Sequence, residues 1–419
     1  MKVLVAGGGL SGLTAATEFQ RLGCTAMVFE ARSRVGGRIY SPSLSNGVVV
    51  EQGALNIRAV DHKVRRLCAE LELPLIGHSF PIGRSEIGRG EEEPEDEFEG
   101  IFSAIAQRVV TRVSADESDE SLTSSFRSIM GPVYWQHPAY LSLQSIFGTD
   151  VDKLSAAAFT NLYLDRSVFM SGGQLASGGS SPASPYPDYL EHQSHVYGGN
   201  QRICVELARK LREPVRFGAS VISVDQTAHG VEFALDDGST EIGDLAVIAL
   251  PLALLRRLEL GFALPDLMQT ALDHLVVGNA STVSVELIEG AYPRCVQHPQ
   301  QRWVTWNSAR GDDEFTSVAA VSTYLGTEEV ARHWLADGAS SLVDELHRMR
   351  PELEFPTAPD VIITDWQREE WSSGAYPNWA VGWTPALDEA FSCRVVGRTA
   401  LAGADTSGAT MGEIGRAHV

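Results

Sequence analysis

Cationic residues are scarce in this chain of 419 residues: Lys and Arg number 33 against 54 Asp and Glu, a formal net charge of −21. A field of that sign repels phosphate, so nucleic acid and anionic membrane are excluded as expected partners. Cysteine is sparse as well. Cys24, Cys68, Cys204, Cys295 and Cys393 stand far apart without a Cys-x-x-Cys pair, which speaks against a disulfide framework or a zinc site and for a cytoplasmic protein. No apolar run reaches the roughly 18 residues of a spanning helix, and the opening Met1–Ala6 gives way to glycines too soon for a signal peptide. The 11 histidines show no metal-ligand spacing, and Ser11 lacks the Gly-x-Ser-x-Gly frame of a nucleophile elbow. What remains is ordinary globular composition, 44% hydrophobic, in a chain long enough for two or three domains.

Lys2–Ala6 is a short apolar run of the kind buried on both faces of a parallel sheet. Gly7–Gly12 follows, Leu13–Leu22 has helical spacing, and Thr25–Glu30 reads as a second strand ending in an acid, so the first thirty residues form one βαβ unit. Acidic Glu91–Glu99 and polar Ser114–Ser125 read as solvated loop or helix face, and Ser171–Pro187 as a long Gly/Ser/Pro loop. Helical patterns cover Gly100–Thr111, Pro138–Ala158, Gln201–Leu211 and Glu328–Met349. Strand patterns cover Val215–Val224, Gly230–Leu235, Leu245–Leu250, Ser281–Leu287, Val318–Tyr324 and Val361–Trp366, with a turn at Asp236-Asp237-Gly238. Trp303, Trp306, Trp366, Trp371, Trp379 and Trp383 crowd the second half, as core residues or as the lining for a bulky apolar substrate.

Gly7-x-Gly9-x-x-Gly12 lies directly after a strand and opens a helix. Its glycines permit the tight turn, a close approach of backbone to pyrophosphate, and close helix–strand packing. Amides at the helix N-terminus then face the phosphates, and Glu30 is placed to accept hydrogen bonds from ribose hydroxyls. Arg32-Ser33-Arg34-Val35-Gly36-Gly37-Arg38 offers a second glycine pair with a cation beside it. A simple nicotinamide domain does not need that element, and no second Gly-x-Gly-x-x-Gly is present, so FAD is favoured over NAD.

The chain resembles the flavin-containing amine oxidases, a family that includes monoamine, polyamine and L-amino-acid oxidases. The resemblance runs along most of the chain. It rests on Gly7–Gly12, Glu30, Gly36-Gly37-Arg38, Glu51-Gln52-Gly53-Ala54, Gly198-Gly199, the strand containing Val221, Ala249-Leu250-Pro251, Trp371-x-x-Gly374-Ala375-Tyr376 and Ala402-Gly403-Ala404-Asp405. It implies a Rossmann-type FAD domain of the glutathione-reductase-like kind at about residues 1–72, 191–264 and 386–419. An interleaved α+β substrate domain would take 73–190 and 265–385. The implied cofactor contacts are Gly7, Gly9, Leu10, Ser11, Gly12, Glu30, Ala31, Gly36, Gly37, Arg38, Gly53, Ala54, Val221, Gly403 and Asp405. Among these, Arg38 would serve the pyrophosphate, the Val221 backbone the adenine, and Asp405 the ribityl or phosphate oxygens. Tyr376 matches one wall of the aromatic pair flanking the substrate amine.

Four departures from the family pattern qualify the implied chemistry. Ala375 replaces the cysteine that tethers flavin in monoamine oxidases, so FAD should be non-covalent. Thr282 stands where the family carries a lysine that assists reaction with oxygen, and no lysine follows Lys210. Asn56 holds the position of the carboxylate-clamping arginine of L-amino-acid oxidases, with Arg58 two residues on as either a substitute or a surface arginine. Finally, Thr410 falls near the second aromatic wall, and Glu413–Val419 reads like a translated sequencing adapter, from which a longer natural chain is expected. The expected activity is FAD-dependent oxidation of a small amine or amino-acid-like molecule by hydride transfer to flavin N5, with oxygen or another acceptor taking the electrons. A desaturase or ring oxidase acting on a C–C bond, or a non-catalytic flavin-fold protein, stay open as alternatives.

Overall fold

The computed structural model describes residues 1–58, 61–77, 85–87, 91–92, 95–164, 193–288, 295–298, 301–309, 318–336, 338–391 and 394–407. Strands Lys2–Ala6 and Thr25–Glu30 run parallel with helix Leu10–Arg21 between them, as the βαβ pattern predicts. They sit inside a six-stranded sheet ordered Val395–Val396, Thr399–Leu401, Leu245–Ile248, Lys2–Ala6, Thr25–Glu30, Arg216–Phe217. All neighbours in it are parallel except the first pair. The lack of polar alternation in the opening strand has a direct cause. Val3 and Val5 enter one core with Leu13, Val28 and Ile203, while Leu4 and Ala6 enter another with Phe29, Phe233 and Ile248. Each of these valine, leucine, isoleucine and phenylalanine side chains contributes roughly 1.5–3 kcal/mol by leaving water.

Next to this sheet, Val221–Thr227, Gly230–Leu235 and Thr240–Gly243 form an antiparallel meander about the predicted turn. The single strand expected over Val215–Val224 is two. Arg216–Phe217 stays in the parallel sheet, and the chain crosses to the meander where Ala219 N–H bonds the Glu30 carbonyl at 3.1 Å.

The second region is built on a seven-stranded sheet: Val361–Asp365, Ser281–Glu286, Val318–Leu325, Trp303–Ala309, Cys295–His298, Ser85–Ile87, Glu91–Glu92. Its central strands alternate. Val283, Val285, Val321 and Leu325 pack with Val330, Leu342 and Leu346 of the two covering helices. On the opposite face the pairings set Thr282 against Tyr324 and Ser284 against Ser322. Helices Glu95–Ser114, Leu122–Met130, Pro138–Phe147 and Ala156–Leu164 make a separate aromatic core around Phe102, Phe126 and Phe159. Two long helical patterns are broken. Glu328–Met349 splits into Glu328–Leu335 and Ala339–Met349 around Gly338 (φ 82°), and Pro138–Ala158 splits after Phe147 at Gly148 (φ 59°). Trp303, Trp306, Trp366, Trp379 and Trp383 are buried core residues. Among the described residues no helix is long and apolar enough to cross a membrane, and no cluster of His, Cys, Asp and Glu could hold a metal ion. Ser171–Pro187, Thr410 and Glu413–Val419 lie outside the described residues.

Candidate functional site

Close packing of helix Leu10–Arg21 on the opening strand is made possible by Gly12, where a Cβ would lie 2.0 Å from the Gly7 carbonyl oxygen. The helix starts at Gly9 with no capping side chain, so its first-turn amides remain available to an anion. The two glycine elements meet: Gly36 N–H donates to the Gly8 carbonyl at 3.0 Å, and Gly9 bridges Gly36. Space is kept over this junction. At Gly9 and at Gly403 the atom nearest to a notional Cβ is 4.0 Å away. Buried Glu30 is fixed by the Gly8 amide (2.7 Å) and the Arg32 amide (2.9 Å), one on each carboxylate oxygen, which leaves each oxygen a further lone pair for a sugar hydroxyl. Ala31 follows directly, and residues 218–221 run alongside through the Ala219–Glu30 bond, bringing Val221 to the same end. Leu10 and Ser11 are buried at the helix start. Open glycines, an uncapped helix N-terminus and a fixed acid together fit a dinucleotide such as FAD.

Arg38 lies at the other end of this cradle. Its guanidinium donates to the Asp405 carboxylate at 2.5 Å and to the Ala375 carbonyl, beside Tyr376. Asp405 is itself buried and accepts the Leu252 amide at 2.8 Å, in the turn after Ala249-Leu250-Pro251. Each of its oxygens thus accepts one bond from the protein and, like those of Glu30, keeps a further lone pair. Gly53 packs where a Cβ would lie 1.9 Å from the Arg38 carbonyl oxygen, and Ala54 N–H bonds that same carbonyl at 3.1 Å.

Glu51, one residue before Gln52, is buried and accepts the Ser41 hydroxyl (2.6 Å) and the Asn200 amide (2.7 Å). Burial pushes its carboxyl up to about 7, against the opposing pull of those two bonds. Asn200 adds bonds to the Ala54 and Leu55 carbonyls, and Gln201 to Ser41 and Val35, which ties the Gly36-Gly37 loop to the start of helix Gln201–Lys210. Gln52 then reaches the polar face of the large sheet: its amide donates to Ser284 Oγ at 2.7 Å, Ser284 meets Ser322 at 2.7 Å, and Trp366 donates to the Gln52 carbonyl at 2.8 Å.

That polar face carries buried Thr282, directly across from Tyr324 on one side and Thr364 on the other. Tyr376 begins the strand Tyr376–Trp379, opposite Gly278, and its hydroxyl lies 2.6 Å from that of Tyr324. The structure thus brings Tyr376 and Thr282 together around a residue the sequence did not single out. Tyr324 shows in the sequence only as one end of a strand pattern. Asn56 keeps a buried Oδ1 with no hydrogen-bond partner among the described residues, and Asn279 does so at both amide atoms. Arg58 sits differently from a substrate clamp: it is 4% exposed and its guanidinium holds Asp61 through two bonds, of 3.1 and 2.9 Å.

Fold and cradle define a dinucleotide-binding oxidoreductase with an interleaved second domain. The chain belongs to the flavin containing amine oxidoreductases, whose family model matches residues 10–417, and it is an FAD-dependent oxidoreductase. It is similar to L-amino acid dehydrogenase of Synechocystis sp., at 23% identity over 412 residues covering 89% of this chain and 83% of that protein. It is also similar to polyamine oxidase 2 of Arabidopsis thaliana, at 23% identity covering 91% and 78% of the two chains. A solved putrescine oxidase bound to putrescine shares the fold, with a TM-score of 0.77 at 18% identity over 100% of this chain and 96% of that one.

Proposed function

We propose that this chain dehydrogenates a small amine or amino-acid-like molecule at the junction of the two regions, and passes the electrons to an acceptor that reacts faster than oxygen. The observation that carries the reading is Arg38, which grips Asp405 at the cradle and the Ala375 carbonyl next to Tyr376, so that cofactor site and substrate wall share one anchor. FAD, when bound, supplies the two-electron acceptor for hydride leaving the carbon that bears the nitrogen. The residues of the chain hold and orient. Glu30 takes ribose hydroxyls, the Val221 backbone faces adenine, and the Leu10 and Ser11 amides with Arg38 balance the pyrophosphate charge. Gly9, Gly37 and Gly403 leave room for the cofactor, while Gly7, Gly12, Gly36 and Gly53 allow the close backbone packing that shapes the cradle beside Ala31 and Ala54. Ala375 has no nucleophile, which favours non-covalent attachment. Tyr376 walls the substrate, and the Asn56 Oδ1, without a hydrogen-bond partner among the described residues, offers an acceptor for an amine N–H.

Arg58, paired with Asp61, is not assigned the clamp, and this favours amines over substrates gripped by a carboxylate. Division at about 1–72, 191–264 and 386–419 against 73–190 and 265–385 is supported by the six-stranded sheet, whose strands all fall in the first set, and the seven-stranded sheet, whose strands all fall in the second. Free, buried Cys24, Cys68 and Cys204 support a reducing, cytoplasmic setting, and the charge of −21 supports partners other than nucleic acid.

Thr282 supports the choice of acceptor, because a neutral hydroxyl supplies no charge to stabilise developing superoxide. The test mixes FAD-loaded protein with benzylamine, putrescine and L-leucine under argon, then admits air. Bleaching of the flavin band by an amine and a slow return in air are expected. Thr282→Lys should speed that return about a hundred- to a thousandfold, the usual worth of one well-placed charge donor in a dry site. Bleaching only by donors that lose hydrogen across a C–C bond would transfer the protein to the desaturase reading. Rapid wild-type reoxidation would remove the special acceptor.

A further inference from the structure

Tyr376 reaches two neighbours with one proton. Its hydroxyl donates to the Ile146 carbonyl, in the last turn of helix Pro138–Phe147, and lies 2.6 Å from the Tyr324 hydroxyl. A carbonyl cannot donate, so the Tyr376 proton is committed there and the short contact must be donated by Tyr324. Tyr324 has another acceptor, the Asn279 carbonyl, at 3.4 Å, a distance at which the 2.6 Å partner prevails. The result is a directed chain from Tyr324 O–H to Tyr376 O–H to the Ile146 carbonyl. It spans strand Val318–Leu325, strand Tyr376–Trp379 and a helix end more than two hundred residues away in sequence, consistent with the separation of 230 between Tyr376 and Ile146.

The anchors at both ends are rigid. Tyr324 sits mid-sheet between Thr282 and Val304, and the helix end is pinned where Asn279 N–H bonds the Gly148 carbonyl at 2.7 Å. Tyr376 is partly buried, its ring packed against the cluster of Ala280, Trp366 and Ala375, and the bonds at its hydroxyl fix the orientation of the tip. Burial and the neighbouring Tyr376 phenol keep the Tyr324 hydroxyl well above the ordinary tyrosine range, so it remains a donor at any working pH.

We propose that Tyr324 is a positioning residue: by donating to Tyr376 it completes a three-member hydrogen-bond chain that fixes the Tyr376 ring in the orientation in which it meets the amine. The proposal rests on the reading of Tyr376 as the substrate wall. It assigns Tyr324 no contact with substrate and no proton transfer.

Two probes separate orientation from binding in the FAD-loaded full chain. The first is whichever of benzylamine and putrescine bleaches the flavin faster under argon, which reports the limiting reduction rate. The second is cumylamine, which has no hydrogen on the carbon bearing nitrogen, so it perturbs the flavin spectrum by binding without being oxidised. Tyr324→Phe removes one oxygen atom and should lower the limiting rate about tenfold while cumylamine affinity stays within about twofold. Tyr376→Phe should lower the rate at least as much, and the double variant should match Tyr376→Phe alone, since the chain has no function once its middle member is gone. A packing role for Tyr324 would instead multiply with Tyr376→Phe and would weaken cumylamine as well. An unchanged rate in Tyr324→Phe, or multiplying effects, overturns the proposal. Tyr376→Ala that binds cumylamine and bleaches like wild type overturns the reading of the wall itself, a result distinct from the first.

Discussion

Glu51 shows how one residue can set a property of the whole cradle. Its carboxyl is raised to about 7 by burial, so the folded protein holds that proton more tightly than the unfolded chain does, near 4.5. The sign follows. This acid costs the fold nothing below about 4.5, and stability is lost as pH rises towards 7, the gap being worth roughly 3 kcal/mol once both states are ionised. Glu51→Gln keeps the shape, with the amide oxygen towards the Asn200 N–H and the amide nitrogen towards Ser41 Oγ. The Tm of this variant should exceed that of the wild type by a margin that grows as pH rises from 5 to 8, whatever slope other groups such as His195 give both proteins. Parallel curves for the two proteins would remove the buried acid as the cause. Single residues also mark the limit of what the sequence tells. Tyr376 is legible because a local motif, Gly374-Ala375-Tyr376, carries it. Tyr324 has no motif, and its role arises from a cross-strand partner and a hydroxyl contributed from another strand. The Arg58–Asp61 pair is close in sequence, yet spacing alone does not distinguish a buried pair from a surface arginine.

Among the elements, the opening βαβ unit was readable because its signals are local: an apolar run, a glycine turn, a helix period and a terminal acid all agree. The broken helices were not. The helical pattern spans Pro138–Ala158, and the first helix ends where Gly148 takes a left-handed backbone (φ 59°); close approach to the Asn279 carbonyl oxygen, 1.8 Å from a notional Cβ, reserves that position for glycine. The seven-stranded sheet falls between these cases. The valine-serine alternation in Ser281–Glu286 announces two unlike faces, but only the tertiary fold shows that the polar one meets Gln52. Gly12 supplies the test at this scale. With 2.0 Å between a Cβ and the Gly7 carbonyl oxygen, Gly12→Ala must push helix Leu10–Arg21 away from its strand. Overpacking of this kind typically costs about 1–3 kcal/mol, and the amides aimed at the cofactor move with the helix. The variant should unfold at lower temperature and be purified with little flavin. Wild-type flavin content would show that the helix start does not hold the cofactor.

At the scale of the whole molecule, the chain is woven so that its ends stabilise its middle: strands from residues 2–6, 245–248 and 399–401 lie side by side, and Arg38, Leu252 and Asp405 meet in one ion-paired knot. That molecule carries a net charge of −21, and such a field gathers cations from solution and repels anions. An ammonium or diammonium substrate is drawn towards the protein, whereas a zwitterionic amino acid with no net charge is not. Salt separates the two. The screening length shrinks from about 30 Å at 0.01 M to about 8 Å at 0.15 M, so steering by charges spread over the surface is strong at the first concentration and weak at the second. The value of kcat/KM for putrescine should fall several-fold across that range, benzylamine should fall less in keeping with its single charge, and L-leucine should hardly change. The ranking by charge is the essential result, because a general effect of salt on the enzyme would lower all three alike. Equal slopes for the three would mean that the acidic surface has no part in substrate capture, and the preference for amines would then rest on the pocket around Tyr376 alone.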